Sequence, residues 1–524
     1  MRLGWLAERA ALPVVMAALL AAPGVDAQAR GVAGGARERI EAWRATHEGA
    51  IVRELSDFLA LPNVASDTLA IRRNAEHLMA MMRRRGIRTR LLEAPGSLPA
   101  VYGELPAPNA RRTIVLYAHY DGQPVDTARW ATSPWQPTLR DAPLEAGGKV
   151  LPLPAAPDAR LDGEWRLYAR SASDDKAPIV VMLAALDALR ASGLAPDVNL
   201  KFFFEGGEEA GSPNLRALLE RHAETLKADA WIFCDGPVHQ TRRQQVVYGV
   251  RGTYGLEMTV YGPKRALHSG HYGNWAPNPA ALLVTLLASM RDDDGRILIP
   301  GWYDDVRPVS AAERRAISAM PAIDDALRRD LALGATEAGD APLAERLMLP
   351  ALNIRGIEVG RTGALASNVI SQTARASIDF RLVPDETPAR ARELVERHVR
   401  TRGWHIVHEE PNDSVRRAHP RVVRLEWDEG GYPAMRTDMA LPVARAVARA
   451  VEQGAGAPPV LVPMLGGSLP MAVFAEVLRV PLIIVPIVNH DNNQHAANEN
   501  LRLRNLWDGI AVLGTMMSRL GEEW

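Results

Sequence analysis

Hydrophobic positions recur along this chain with two different periods, and the switches between them outline the fold. Over 37–61 and 72–85 apolar residues return every three or four positions, which predicts helices, with Gly86 placed to stop the second. Unbroken apolar runs at 113–118, 198–204 and 230–234 read instead as buried strands. Helical stretches at 177–189 and 215–226 separate them. This βαβ rhythm predicts an α/β domain whose mostly parallel sheet lies between flanking helices. Residues 126–164, rich in Pro and Gly, read as an ordered loop with little regular structure.

Near Arg251 the rhythm changes. Residues 254–261 alternate like a strand with one wet face, 279–290 and 387–400 read as helices, and 369–383 as a hairpin-type pair. That mixture predicts an inserted α+β domain serving as lid and dimerisation surface. Residues 292–350 are charged, contain prolines and are helical only in places. The α/β rhythm returns near Asp438, with helices at 438–451 and 468–478 and a very apolar strand at 480–488. The expected division is a signal peptide at 1–27, catalytic domain at 28–250 and 431–524, and lid at 251–430.

Composition narrows the class. A chain of 524 residues exceeds one comfortable core, which agrees with more than one domain. A net charge of −1 leaves no basic excess for nucleic acid. The single cysteine, Cys234, excludes an intrachain disulfide or a cysteine-rich metal site, and its apolar neighbours make it core filler. Arg2 and Arg9, an apolar run at 10–22 and Val25-Asp26-Ala27 form the pattern of an export signal cut before Gln28. The run contains Pro13 and is short for a membrane span of about 20 residues. A periplasmic or secreted protein is expected, with no stable membrane insertion after cleavage.

The chemistry collects at the ends of the apolar runs. His119-Tyr120-Asp121, Glu208-Glu209 and Asp235 each follow a strand, and Asp174-Asp175-Lys176 precedes a helix. In open α/β sheets, ligands bind beyond the carboxyl ends of the strands. Residues i and i+2 point the same way, so Asp121 can accept the spare ring N–H of His119 and fix its tautomer. Taken singly, H-x-D is more often a surface turn, Asp174-Asp175 a helix cap and Asp235 a turn initiator. Adjacent glutamates in a glycine-flanked turn are more specific, since their divergent side chains suit one metal ligand and one general base. His495 completes the set from a dense polar stretch after the last strand, with His490 as its competitor. Such mixed nitrogen and oxygen donors suit zinc, and also manganese or cobalt.

In this order the segments resemble the dinuclear zinc peptidases related to carboxypeptidase G, aminoacylase and carnosinase, most closely the dipeptidase branch. The resemblance runs from near residue 40 to the end. Leu267-His268-Ser269-Gly270 resembles the histidine turn of that family's inserted domain, and Asp379-Phe380-Arg381 its late lid strand. Gly466-Gly467-Ser468 is similar to the loop that receives the substrate's carboxylate.

The resemblance implies two Zn2+ per subunit, with Mn2+ or Co2+ as substitutes. Asp174 would bridge the pair, His119 and Asp235 would hold one ion, and Glu209 and His495 the other. Asp121 would orient His119, while Glu208 would deprotonate a shared water and hand the proton to the leaving nitrogen. His268, supplied by the partner of a homodimer, would stabilise the oxyanion. Arg381, Gly466, Gly467 and Ser468 would bind the terminal carboxylate of a dipeptide or short peptide.

Two positions depart from the pattern: Ala177 stands where the family has Gly, and Met464-Leu465 where the carnosinase branch has a charged pair. The second departure favours an N-acyl-amino-acid deacylase as the alternative activity. A non-catalytic exported binding protein is a third reading, opposed by Glu208 standing beside all five ligands.

Overall fold

Odd and even side chains of the central strands enter two separate apolar cores, as a two-residue period requires. Leu116, Ala118, Phe202, Phe204 and Ile232 fill the first core. Val115, Tyr117, Phe203, Trp231 and Phe233 fill the second. Both faces of these strands are therefore covered, which is why their sequences read as continuous apolar runs. The computed structural model describes residues 35–524, and the expected signal at 1–27 lies outside them.

The main sheet has eight strands, in the order Arg88–Leu92, Ala100–Leu105, Asn199–Glu205, Thr113–His119, Ala230–Phe233, Leu482–Ile484, Gln245–Val247 and Val460–Val462. The four strands from Asn199–Glu205 to Leu482–Ile484 run parallel, and antiparallel pairings join them to their neighbours on either side. On one face Lys176–Ala191 and Pro442–Ala455 pack on the long C-terminal helix Leu503–Glu523. On the other, Leu215–Arg221 packs on Met471–Leu478. Lys176–Ala191 is apolar nearly all round because it is buried nearly all round. Among the described residues no helix is long and apolar enough to cross a membrane.

A second, five-stranded sheet has the order Ala351–Glu358, Thr373–Leu382, Gly252–Tyr261, Val422–Trp427 and His405–Val407. Helices Pro279–Ala288 and Pro388–Thr401 close a separate apolar core over it, through Leu283, Leu287, Leu394 and Val395.

Several local expectations change in the folded chain. The helix expected over 37–61 is two helices, Ala36–Ala45 and Glu48–Leu59, with a break at Thr46 and His47. The 126–164 stretch is mainly irregular, as expected, but it carries two short strands. Thr138–Arg140 and Val150–Leu151 join Arg166–Tyr168 and Asn500–Arg502 in a four-stranded sheet. The 369–383 segment is not a hairpin, because Val369–Ile370 pairs with Leu267–His268 while Thr373–Leu382 lies between Gly252–Tyr261 and Ala351–Glu358. For 369–383 the cause is that each strand pairs with other segments of the chain rather than with its neighbour, and local periodicity is blind to that. Within 292–350, helix Ala311–Ala319 carries a full capping box between Ser310 and Glu313.

Candidate active site

Strand register puts the polar ends side by side. His119 pairs with Glu205 across one parallel neighbour, and Tyr117 with Phe233 across the other. Asp235, two residues past Phe233, therefore emerges beside His119. The Nε2 of His119 lies 2.8 Å from Asp174 Oδ1, 3.8 Å from Asp235 Oδ2 and 3.9 Å from Glu208 Oε2. The Nε2 of His495 lies 3.0 Å from Asp174 Oδ2 and 3.3 Å from Glu209 Oε2. The two carboxylate oxygens of Asp174 thus face different histidines. Two groups form whose donor atoms lie within 4.8 Å of one another: His119, Asp175 and Asp235, and Asp174, Glu209 and His495. His490 takes no part in either group and lines a separate cavity.

Buried polar contacts hold these groups in place. Asp121 accepts the backbone N–H of Glu208 at 3.1 Å on one oxygen and that of Glu209 at 3.0 Å on the other. The same carboxylate lies 3.4 Å from His119 Nδ1. One side chain therefore sets the tautomer of the histidine and the conformation of the glutamate turn. Gly206 is required in that turn, since a Cβ there would run into the Tyr120 hydroxyl and the Pro99 carbonyl. Behind Asp174, the ammonium of fully buried Lys176 donates to the carbonyls of Phe58 at 2.8 Å and Leu61 at 3.0 Å.

Charge dominates the electrostatics. Burial raises the carboxyls of Glu208 and Asp175 well above the usual range, and neighbouring acids add to the effect. Burial likewise pushes Glu209 and Glu205 up to about 7 and Asp235 up to about 6. His119 goes the other way: burial alone would lower it, but hydrogen bonds to Asp121 and Asp174 hold it well above an ordinary imidazole. A hydrogen bond to Asp174 raises His495 to about 9. So many carboxylates out of water lack sufficient countercharge from two imidazoles, and divalent cations would supply it. The donor set of imidazole and carboxylate, with Asp174 offering one oxygen to each group, fits two such ions.

Beside the acidic groups lies a basic cradle. Arg381 donates to Ser468 Oγ at 2.9 Å and to Asp379 Oδ2 at 2.8 Å, and Asp379 also accepts from Thr253 at 3.2 Å. Ser468 is hydrogen-bonded in turn to the Tyr432 hydroxyl, which burial and the Glu208 charge push up to about 12. Gly466 and Gly467 precede Ser468 in the same loop. His268 stands apart: its ring is exposed, caps its own turn through Gly270 and lies against His271.

Three residues with a place in the site were not singled out from the sequence. Asp175 was hidden by its neighbour Asp174. Glu499, four residues after His495 in the same polar stretch, clamps the loop that carries Asp174, and its position there was the available signal. Tyr432 carries no local signal at all.

Residues 115–519 match the model of peptidase family M20/M25/M40. The chain is 27% identical over 430 residues to a Cys-Gly metallodipeptidase of Schizosaccharomyces pombe, covering 80% of this chain and 83% of the relative. It is also 27% identical over 440 residues to the Beta-Ala-His dipeptidase of Homo sapiens, covering 81% of this chain and 78% of the relative. The crystal structure of an M20 family metallo-carboxypeptidase from Sulfolobus solfataricus superposes with a TM-score of 0.72 and 26% identity, covering 90% of this chain and 99% of that one.

Proposed function

The chain belongs to peptidase family M20/M25/M40 and is a peptide-bond hydrolase, and on that premise we propose that it is an exported di-zinc dipeptidase or short-peptide carboxypeptidase. The observation that carries the metal assignment is Asp174, whose two oxygens reach towards His119 on one side and His495 on the other. His119 and Asp235 would hold one ion, and Glu209 and His495 the other. Asp175 is close enough to His119 and Asp235 to support the first group.

When bound, divalent cations at these groups acidify a water and polarise the peptide carbonyl. Glu208 takes a proton from the attacking water and delivers it to the leaving nitrogen as the C–N bond breaks. Its partial burial keeps competing water away from that transfer. Arg381, Ser468 and the Gly466-Gly467 backbone hold the terminal carboxylate, which fixes the scissile carbonyl against Glu208. Dimerisation through the inserted domain would carry the exposed His268 to the partner's site as an oxyanion donor. The apolar run at 10–22 supports export, and sequencing the N-terminus of the mature protein tests it.

A second reading, N-acyl-amino-acid deacylase, is favoured by Met464-Leu465, since an apolar pair beside the cradle offers nothing to a free ammonium. A panel of dipeptides and N-acetyl amino acids separates the two. Dipeptide hydrolysis that a chelator abolishes and Zn2+, Mn2+ or Co2+ restores is expected. Cleavage of the acetylated amino acids alone would establish the deacylase, and chelator-resistant turnover would end both readings.

A further inference from the structure

His495 differs from the other proposed ligands in how it is held. The side chains of His119, Asp174, Asp235 and Glu209 are almost fully buried, whereas that of His495 is 55% exposed. Its ring faces Asp174 and Glu209, and among the described residues no hydrogen bond from outside that group holds it. Its backbone lies in the left-handed region at φ 61°, as do those of Asn493 at 56° and Asn498 at 61°. Side-chain-bearing residues adopt that conformation only where their surroundings impose it. A free loop would relax and carry the imidazole away from Asp174.

Asp491, four residues before His495, ties the loop to the sheet beneath it. Strands Arg166–Tyr168 and Asn500–Arg502 pair antiparallel, with Arg166 directly opposite Arg502. Both arginines are buried, and like charges so placed repel unless an anion lies between them. Asp491 is that anion. Its Oδ2 accepts from Arg166 at 2.6 Å and from Arg502 at 2.7 Å. Its Oδ1 accepts from Arg502 at 2.9 Å and from Asn489 at 3.0 Å, and its carbonyl from Arg166 at 3.0 Å. Buried Asn489 fastens the start of the loop by accepting the Arg502 N–H at 2.8 Å. The Asn500 N–H closes its end by donating to the Asn492 carbonyl at 2.8 Å.

We propose that Asp491 is a positioning residue for the second metal group. By joining two opposed arginines to the 489–500 loop, it holds His495 against Asp174 and Glu209 and so sets that group's affinity for its ion. The inference rests on the two-ion reading above and adds to it a residue that is not itself a ligand.

The test measures Zn2+ uptake by the full-length protein, first freed of metal with a chelator, using titration calorimetry and elemental analysis. The wild type should bind two ions. Asp491→Asn should weaken one of them about 10- to 100-fold, as when a group supporting a ligand is lost, and leave the other within about twofold. Arg166→Lys keeps a charge beside Asp491 but loses the fork, and it should weaken the same ion. It carries the comparison if Asp491→Asn fails to fold. The deciding measurement combines either change with His495→Ala. If Asp491 acts through His495, the double variant binds the second ion no more weakly than His495→Ala alone. Equal weakening of both ions, weakening of neither, additive losses in the double variant, or loss of folding in both single variants overturns the role given to Asp491. A wild type that binds fewer than two ions, or a His495→Ala protein that binds both as tightly as wild type, sinks the two-ion reading instead.

Discussion

The backbone N–H of Asp174 donates to the carboxylate of Glu499 at 2.9 Å, joining segments 325 residues apart. The same carboxylate accepts from Ser173 at 2.9 Å, Ser171 at 3.0 Å and the Arg170 guanidinium at 2.7 Å, with no exposure to solvent. Glu499 lies four residues beyond His495, so a single loop brings both a donor for the second group and the clamp for Asp174.

Glu499→Ala should therefore be severe. It leaves Arg170 as an unpaired buried charge and three backbone amides without an acceptor, at a cost of about 3–5 kcal/mol. Urea denaturation reads this directly. Metal affinity should fall about 10- to 100-fold, as it does when groups supporting a ligand are lost. A Glu499→Ala protein as stable as wild type would show that the clamp carries no weight.

Glu208→Gln keeps the side chain's shape and removes its basicity. Turnover should fall about 10²- to 10⁴-fold, while metal content by elemental analysis stays unchanged. Normal hydrolysis by this variant would remove Glu208 from its role as base.

Arg381→Ala removes the one charged donor of the cradle. The loss should be about 1.5–3 kcal/mol in kcat/KM for dipeptides, the worth of a hydrogen bond to a charged group. Dipeptides amidated at the C-terminus should respond little, because they bring no carboxylate for Arg381 to meet. Equal losses on both kinds of substrate would place the carboxylate elsewhere.

Glu386 sets a pH dependence of stability remote from the acidic groups. Burial raises its carboxyl to about 8 in the fold, where it accepts the Val383 N–H at 2.8 Å. The folded state then binds a proton that the unfolded state has already released. Stability should fall as pH rises from the ordinary carboxyl range to about 8 and level off above it. Glu386→Gln retains an acceptor and removes the titration. Its gain over wild type should be absent at pH 4 and reach about 1 kcal/mol or more at pH 8. Parallel stability curves for the two proteins would rule this out.

Much of this molecule is local and was legible as such. The period of apolar residues identifies the central strands and helices, because burial on one face or two is written into neighbouring positions. The placing of His119, Asp235 and Glu208-Glu209 follows from the same source, since a residue just past a buried strand must emerge at the sheet's edge.

Tertiary structure alone decided the rest. The pairing of Asn500–Arg502 with Arg166–Tyr168, the partition of Asp174 and Asp175 between two groups, the Glu499 clamp and the approach of Tyr432 to Ser468 all join segments far apart in the chain. The strand order in 369–383 was misread for the same reason. A residue's neighbours in sequence fix its period and its direction, but which distant surface it meets depends on how whole elements pack, and no local pattern encodes that.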